Sequence, residues 1–312
     1  MTAMDTSEKT RQVESAYRRA CRLDVEAYKP GNVSLFAAGH GMRGEDFLES
    51  AEVSAPAMGD PRQALGERIF RAVTATRSAV DCNTNLGIVL LAAPLVQGLL
   101  NEAGSDTLAE RVKRVLSGTT RTDAEWVYRA IRLAKPGGLG RADAHDVQGA
   151  PDVTLRDAMQ AAAERDRIAY LYATDFSDIF QYGAARFSEL RERWADDGWA
   201  ATGLYLEWLT RVPDSHVVRK HGLTAARWVA TRAAGVCERL LGSTYPQRLL
   251  RELYALDAEL KQVGINPGTT ADMTVASALA LELERLCGPA RRAGPSLDRG
   301  NRDTERLRDA TF

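Results

Sequence analysis

Apolar residues recur at helical spacing along most of the chain. From Leu65 to Val80, apolar or small side chains stand every three or four positions with arginines between them, which is typical of an amphipathic helix packed on a core. The same spacing recurs over residues 123–134, 154–172, 224–241 and 271–287. Alternating strand-like runs are almost absent, and helix-favouring Ala, Leu, Arg and Glu fill the periodic segments. The pattern predicts an all-α fold.

One run, Leu86–Val96, is apolar on every side of the helix that it predicts. A soluble protein tolerates such a helix only at the centre of its core, so we expect other helices to pack around it. Pro94 lies inside the run and lacks a backbone N–H, so it is expected to end or kink this helix. The longest apolar stretch, Ile88–Val96, is far shorter than the roughly 20 residues needed to cross a bilayer. We therefore expect a cytoplasmic protein with no membrane partner.

The chain of 312 residues carries 41 Lys and Arg against 42 Asp and Glu, a formal net charge of −1. This balance argues against broad electrostatic binding, so no nucleic-acid partner is expected. The four cysteines are scattered without CxxC spacing, which is typical of reduced thiols in a cytoplasm. Residues 1–287 are predicted to form a single large helical domain. Residues 288–312 are charged and poor in apolar side chains, and are predicted to be disordered.

Four loops between the predicted helices concentrate Gly, Pro, Asn and single charges. They are Lys29–Asn32, Asp81–Gly87, Lys135–Gly140 and Asn266–Asp272. Glycine permits close approach of a ligand to the backbone, and a helix N-terminus presents free N–H groups that favour phosphate. Together the loops predict a site for a nucleotide or polyphosphate. The candidate contacts are Lys29, Gly31, Asn32, Asn83, Thr84, Asn85, Gly87, Lys135, Gly137, Gly138, Asn266 and Gly268.

Each of these motifs also has a simpler interpretation, as a turn between helices or as a helix cap. Asn83 and Thr84, for example, would cap the apolar helix that follows them. No loop matches the Walker pattern for phosphate binding. From the residues alone, both interpretations stay open.

Three carboxylates are candidate catalytic residues for such a site: Glu49, Asp146 and Asp272. A carboxylate can act as a general base toward a hydroxyl, or hold a Mg²⁺ ion that bridges phosphates. Glu49 and Asp272 are the predicted metal ligands. The alternative for each residue is a solvated position, which for Asp272 is also a favourable charge at a helix N-terminus.

The order of the four motifs resembles the triphosphoribosyl-dephospho-CoA synthase family. The motifs are Lys29-Pro-Gly-Asn, Asn83-Thr-Asn-Leu-Gly, Lys135-Pro-Gly-Gly-Leu-Gly and Asn266-Pro-Gly-Thr-Thr-Ala-Asp, and Asp214-Ser with Arg219-Lys-His-Gly is similar to a later one. The resemblance implies an all-helical transferase that uses ATP, 3′-dephospho-CoA and Mg²⁺. The 2′-hydroxyl of dephospho-CoA would attack C1′ of the ATP ribose and release adenine. The product, 2′-(5″-triphosphoribosyl)-3′-dephospho-CoA, is the precursor of a prosthetic group of acyl carrier proteins.

The chain departs from the better-known members of that family at the second motif. Those members resemble Asn-Thr-His-Lys-Gly there, whereas Leu86 stands here in place of the lysine and removes one phosphate-binding cation. Two alternatives are therefore kept. One is an ATP-dependent enzyme of one-carbon cofactor biosynthesis (tetrahydromethanopterin or methylofuran) on the same fold, acting on another small phosphorylated substrate. The other is a non-catalytic helical nucleotide-binding protein. A homodimer is also open.

Overall fold

The structure, a computed structural model, describes residues 6–101 and 106–287 of the chain. Its α-helices are α1 (Thr6–Glu26), α2 (Gly44–Gly59), α3 (Leu65–Ala79), α4 (Leu86–Leu100), α5 (Leu108–Ser117), α6 (Arg121–Ala134), α7 (Leu155–Ala162), α8 (Arg167–Ala173), α9 (Ala184–Trp194), α10 (Asp197–Arg211), α11 (Ser215–Gly242), α12 (Leu250–Gln262) and α13 (Gly268–Leu286). Helix α11 is broken at Gly222, which has a φ of 83°. A π-helical turn, Ile179–Gly183, precedes α9, and a 3₁₀ turn, Pro246–Leu249, precedes α12.

The described residues contain no β-strand, so the predicted all-α fold is confirmed. None of their helices is both long and apolar enough to span a membrane. The predicted disordered tail, 288–312, lies outside the described residues. That residues 1–287 form one domain stays a prediction.

Helix α4 lies at the centre of the core, as its apolar sequence predicts. All of its residues from Ile88 to Leu99 are buried, and it packs against α3, α5 and α13. Burial of this whole segment removes a continuous apolar surface from water, which is the main favourable contribution to folding. The prediction of a buried central helix is confirmed.

A second buried helix, α13, lies beside α4 and also contacts α1 and α10. Its spacing predicts an amphipathic helix, yet the run Met273–Ala280 is buried throughout. Small side chains such as Ser277 allow neighbouring backbones to approach closely. Gly183 lies so near that a Cβ placed on it would overlap the Ser277 hydroxyl. The core therefore contains two central helices where the sequence pattern indicates one.

Pro94 does not end α4, and this part of the sequence prediction is wrong: the helix continues to Leu100. A proline inside a helix leaves the carbonyl four residues earlier without its N–H partner, which here is the carbonyl of Leu90. The hydroxyl of Tyr172, on α8, donates to this carbonyl at 2.6 Å, and Tyr172 is fully buried. A side chain from a neighbouring helix thus satisfies the orphaned carbonyl, and the helix continues through the proline.

Helices α10, α11 and α12 enclose a second, smaller apolar cluster. Two polar groups of this region anchor the loop Lys29–Asn32. The hydroxyl of Tyr205 donates to the carbonyl of Pro30 at 2.7 Å, and the N–H of Gly31 donates to a carboxylate oxygen of Asp257 at 2.7 Å. Because these bonds are buried, the loop has a fixed position relative to α10 and α12.

Candidate functional site

A cavity of about 440 Å³ lies where the four Gly- and Asn-containing loops meet. Each loop contributes to its wall, through Asn32, Asn83, Gly137 and Asn266 among others. The first and last loops also touch directly, since Asn32 Nδ2 donates to Asn266 Oδ1 at 2.9 Å. Loops that are distant in the sequence therefore surround one site.

Helices α4, α11 and α13 are among those that begin at this cavity. Gly87, His216 and Gly268 lie in the first turns of these helices and line the wall. The first turn of a helix carries free N–H groups and the positive end of the helix dipole, both of which attract anions. This end of the cavity is therefore suited to phosphate.

Asp214 holds two of these helix ends together. Its carboxylate caps α11 by accepting from the N–H of Val217 at 2.9 Å. It also accepts from the N–H and the hydroxyl of Thr270, on α13, at 2.7 and 2.8 Å. Beside it, the hydroxyls of Ser215 and Thr269 lie 3.1 Å apart. Since Asp214 is buried and fully bonded, its role is to fix the relative position of α11 and α13.

Asp24, Asp166 and Asp272 bring three carboxylates to the cavity wall. Asp24, in the last turn of α1, forms a buried ion pair with Lys29, with 2.9 Å between Oδ1 and Nζ. Asp166 caps α8 and pairs with Arg219 at 3.1 Å. Two of the three carboxylates are thus held by a cation of the protein itself.

Asp272 differs, because no hydrogen bond or ion pair joins its side chain to the described residues. Burial raises its pKa well above the ordinary value, and the negative charges of Asp24 and Asp214 raise it further, while Lys29 offsets part of the shift. Its carboxylate lies against Gly87, where a Cβ would overlap it. The cavity therefore holds one carboxylate with an enhanced affinity for a proton.

His216 lines the cavity and lies against Gly268, where a Cβ would come within 2.6 Å of its Nδ1 atom. Burial lowers the pKa of His216 to about 3, and the charges of Lys220 and Arg219 act in the same direction. Its Nε2 atom is buried and has no hydrogen-bond partner in the part of the chain that the structure describes. The imidazole is therefore neutral at physiological pH, with one N–H donor and one lone pair.

Asp146 lies on the loop between α6 and α7 and also lines the cavity. Its carboxylate accepts from the backbone N–H groups of Gln148 and Ala142, at 2.7 and 2.6 Å. These bonds keep the pKa of Asp146 below its ordinary value. A carboxylate whose lone pairs are already used is a weak proton acceptor, so its observed contacts support a role in shaping the loop.

The structure brings most of the predicted site residues to the cavity wall: Asn32, Asn83, Thr84, Gly87, Gly137, Asp146, Asn266, Gly268 and Asp272. The others lie outside it: Lys29, Gly31, Glu49, Asn85, Lys135 and Gly138. Lys29 is buried with its ammonium on Asp24, so it has no free charge to offer a phosphate. Glu49 is exposed on α2 and, unlike Asp272, does not face the cavity, so the predicted pair of metal ligands is not assembled.

The cations at the cavity are Arg165 and Arg219 instead of Lys29 and Lys135. Another part of the cavity wall is apolar. It is formed by α6, α7 and α8 through Val127, Ile131, Leu155, Ala158, Met159 and Ile168. The site thus combines helix N-termini that attract anions with an apolar wall, the usual composition of a small-molecule pocket.

Asp24, Asp166 and His216 are among the polar wall residues that the predicted contacts do not include. Each stands in or beside a helix end, where a polar residue is also expected as a cap or a solvated side chain. The motif Asp214-Ser-His is a sequence signal that marks one of them, and Asp24 has no comparable signal.

Within the described residues, no group of three or more His, Cys, Asp or Glu side chains is arranged to hold a metal ion. A Mg²⁺ ion that is bound together with a nucleotide needs fewer protein ligands. Phosphates and waters supply most of its ligands, and the protein adds one or two carboxylates. Asp24 and Asp272 are two wall carboxylates of the required type. These two carboxylates are sufficient for a Mg²⁺ ion that is coordinated mainly by phosphates. They are not sufficient for a metal site made of protein ligands alone.

A family model for ATP:dephospho-CoA triphosphoribosyl transferases matches residues 10–290 of the chain. Among solved structures, the chain is similar to a protein from Archaeoglobus fulgidus described as a triphosphoribosyl-dephospho-CoA synthase, with 26% sequence identity and a TM-score of 0.59. That similarity covers 76% of this chain and 98% of the other. A comparison with proteins of curated function gave no match.

Proposed function

The chain belongs to the ATP:dephospho-CoA triphosphoribosyl transferase family, and from this premise we propose that its cavity transfers the triphosphoribosyl group of ATP to 3′-dephospho-CoA. The observation that carries the proposal is the meeting of three helix N-termini with Asp272 in one cavity. Adenine is the second product. The family is one of transferases, so the class of reaction follows from membership, whereas the two substrates are part of the proposal.

The triphosphate binds at the first turns of α4, α11 and α13. The N–H groups in these turns that Asp214 does not already bind supply hydrogen bonds to phosphate oxygens without any large movement of side chains. Asn83 and Asn266 add neutral amide groups at the same end. Arg219 adds a cation, which compensates in part for the apolar Leu86 at the start of α4.

Asp272 is the proposed proton acceptor. In the reaction, the 2′-oxygen of the acceptor forms a bond to C1′ of the ATP ribose, and the bond from C1′ to N9 of adenine breaks with its electron pair on adenine. The hydroxyl proton passes to Asp272, whose raised pKa favours proton uptake. Adenine takes a proton from solvent at a ring nitrogen as it leaves, and the neutral imidazole of His216, in the same cavity, can donate a hydrogen bond to the departing base.

Mg²⁺ would be held by the phosphates of ATP together with Asp24, and when bound it neutralises negative charge on the triphosphate. Asp24 suits this role because its carboxylate lies on the cavity wall and the Lys29 ammonium, 2.9 Å away, fixes its position. The two neighbouring carboxylates, Asp24 and Asp272, thereby take different tasks because their environments differ.

Release of free adenine from ATP and 3′-dephospho-CoA, followed by chromatography, tests the proposal. We expect adenine only when both substrates are present. Asp272→Asn should lower kcat by about 10²–10⁴-fold, the usual contribution of a general base. Asp197→Asn, at an exposed position on α10, is the matched control and should retain full activity. A folded wild-type protein that releases no adenine with these substrates would reject the proposed reaction.

The two alternatives, a one-carbon cofactor enzyme and a non-catalytic nucleotide-binding protein, gain no support from the comparisons. The same assay distinguishes them. Adenine release that depends on a different phosphorylated acceptor would favour the first, and ATP binding without turnover of any acceptor would favour the second.

A further inference from the structure

A second cavity, of about 290 Å³, lies directly beside the first. It is lined by Ile131, Arg132, Lys135, Pro136, Leu139, Gly140 and Gln148. Four of these residues, Ile131, Pro136, Leu139 and Gly140, line the first cavity as well. The loop that follows α6 is therefore a wall common to both cavities.

The charge of the second cavity has one sign. Its lining contains two cations, Arg132 and Lys135, and no carboxylate. The guanidinium of Arg132 donates to the carbonyls of Val147 and Gly149, so it is held at the cavity by the loop between α6 and α7. Such a surface is complementary to an anion.

The backbone of Lys135 has a fixed position, whereas its side chain makes no polar contact with the described residues. It ends α6 in the left-handed conformation, with a φ of 50°, and its N–H donates to the carbonyl of Ile131 at 3.1 Å. No hydrogen bond or ion pair joins its ammonium to the described residues. A cation on an anchored Cα, with no partner of its own, is available to a ligand.

We propose that the second cavity binds the diphosphate-bearing chain of the acceptor, with Lys135 and Arg132 contacting the diphosphate. This inference rests on the proposed function, in which the first cavity holds ATP. About 440 Å³ is the size of a pocket for one small molecule, and its anion-binding end is occupied by the triphosphate. A second substrate that also carries a nucleoside and a diphosphate must extend beyond that cavity.

In the proposed binding mode the acceptor crosses the common wall near Gly140, which lines both cavities. Gly140 has a φ of 66°, and a Cβ placed on it would meet no atom of the described residues within 4 Å, so its backbone is not crowded by neighbouring side chains. The acceptor can keep its anionic chain in the second cavity while its ribose hydroxyl reaches into the first. Lys135 is thus a specificity-determining residue for the acceptor and has no contact with the donor.

Steady-state kinetics of Lys135→Ala, with each substrate varied in turn, tests this assignment. We expect the KM for 3′-dephospho-CoA to rise about tenfold, the loss typical of one charge-assisted hydrogen bond. The KM for ATP and kcat should change by less than about twofold. Lys135→Arg, which keeps the charge, should retain most of the affinity for the acceptor. Lys113→Ala, at another exposed lysine on α5, is the control and should match the wild type.

The other outcomes each overturn the inference. A rise in the KM for ATP alone would assign Lys135 to the donor phosphates, and unchanged constants for both substrates would remove the second cavity from the acceptor path. In either case the wild-type enzyme still releases adenine, so the proposed function stands. Only a wild type without turnover would reject both.

Discussion

The ammonium of Lys29 lies 2.9 Å from the carboxylate of Asp24, and both side chains are almost completely buried. The same ammonium donates to the backbone carbonyl of Asp24. Lys29 therefore stabilises the last turn of α1 and fixes the position of the Asp24 carboxylate, which lines the cavity. This is a different role from the phosphate contact that its position in a Lys-Pro-Gly-Asn loop suggests.

Replacing Lys29 with Ala should destabilise the protein, because it leaves the Asp24 carboxylate buried without a cation. Breaking one side of a buried ion pair typically costs about 3–5 kcal/mol. Urea unfolding followed by tryptophan fluorescence measures the change. Arg232→Ala breaks the exposed pair of Arg232 with Glu259 and should cost less than about 1 kcal/mol. A fully stable Lys29→Ala protein with a raised KM for ATP would return Lys29 to the phosphate site.

Replacing Tyr172 with Phe should reduce the free energy of unfolding by about 1–3 kcal/mol. The variant lacks the hydroxyl that donates to the carbonyl of Leu90. Because Pro94 has no backbone N–H, this carbonyl is then left without a hydrogen-bond donor. The sharper measurement uses Pro94→Ala as a background. Its restored N–H can donate to Leu90, so Tyr172→Phe should cost clearly less there. Equal costs in both backgrounds would show that the hydroxyl does not act through this carbonyl.

Gly87→Ala should cause a large loss of activity and only a moderate loss of stability. A Cβ at this position overlaps the Asp272 carboxylate, so the carboxylate must move or the start of α4 must shift. We expect at least a 10²-fold loss of kcat, as for a misplaced catalytic group, with about 1–3 kcal/mol of destabilisation. Gly242→Ala, where a Cβ meets nothing within 4 Å, is the matched control. Wild-type turnover by Gly87→Ala would show that Asp272 has no fixed role.

The stability of the protein should fall in mild acid because of His216. Its pKa is about 3 in the folded protein, against about 6.5 for an exposed histidine. Between these two pKa values the unfolded chain binds a proton at His216 and the folded protein does not. The contribution of His216 to the free energy of unfolding is therefore fully present above pH 6.5 and is lost as the pH falls toward 3. Between pH 7 and pH 4.5 the contribution is on the order of 2–3 kcal/mol.

His216→Gln should remove that part of the pH dependence, which urea unfolding at the two pH values measures. His221→Gln, at an exposed position of the same helix, should leave it unchanged. If His216→Gln and the wild type lose equal stability between the two pH values, the imidazole is protonated in the folded state as readily as in the unfolded chain.

Helical periodicity was sufficient to predict the helical fold, because a helix that buries one face has apolar residues every three or four positions in its sequence. Leu86–Val96, apolar on all sides, correctly predicts a central helix. The same reasoning fails for α13, whose small residues Ala276 and Ser277 do not look more buried than those of a surface helix. Glycine and asparagine at loop positions also indicated Asn83 and Asn266, although turns and helix caps use the same residue types, and only the structure shows both residues on one cavity wall.

By itself, the sequence determined the all-α class, the apolar central helix and the loops that surround the site, since these depend on local preferences and on periodic burial. Only the tertiary structure decided which charges remain free. Lys29 and Lys135 precede the same Pro-Gly pair, yet Asp24 neutralises the first, and the second has no ion-pair partner among the described residues. Pairing of charges depends on distances between residues that are remote along the chain, and local spacing does not encode those distances.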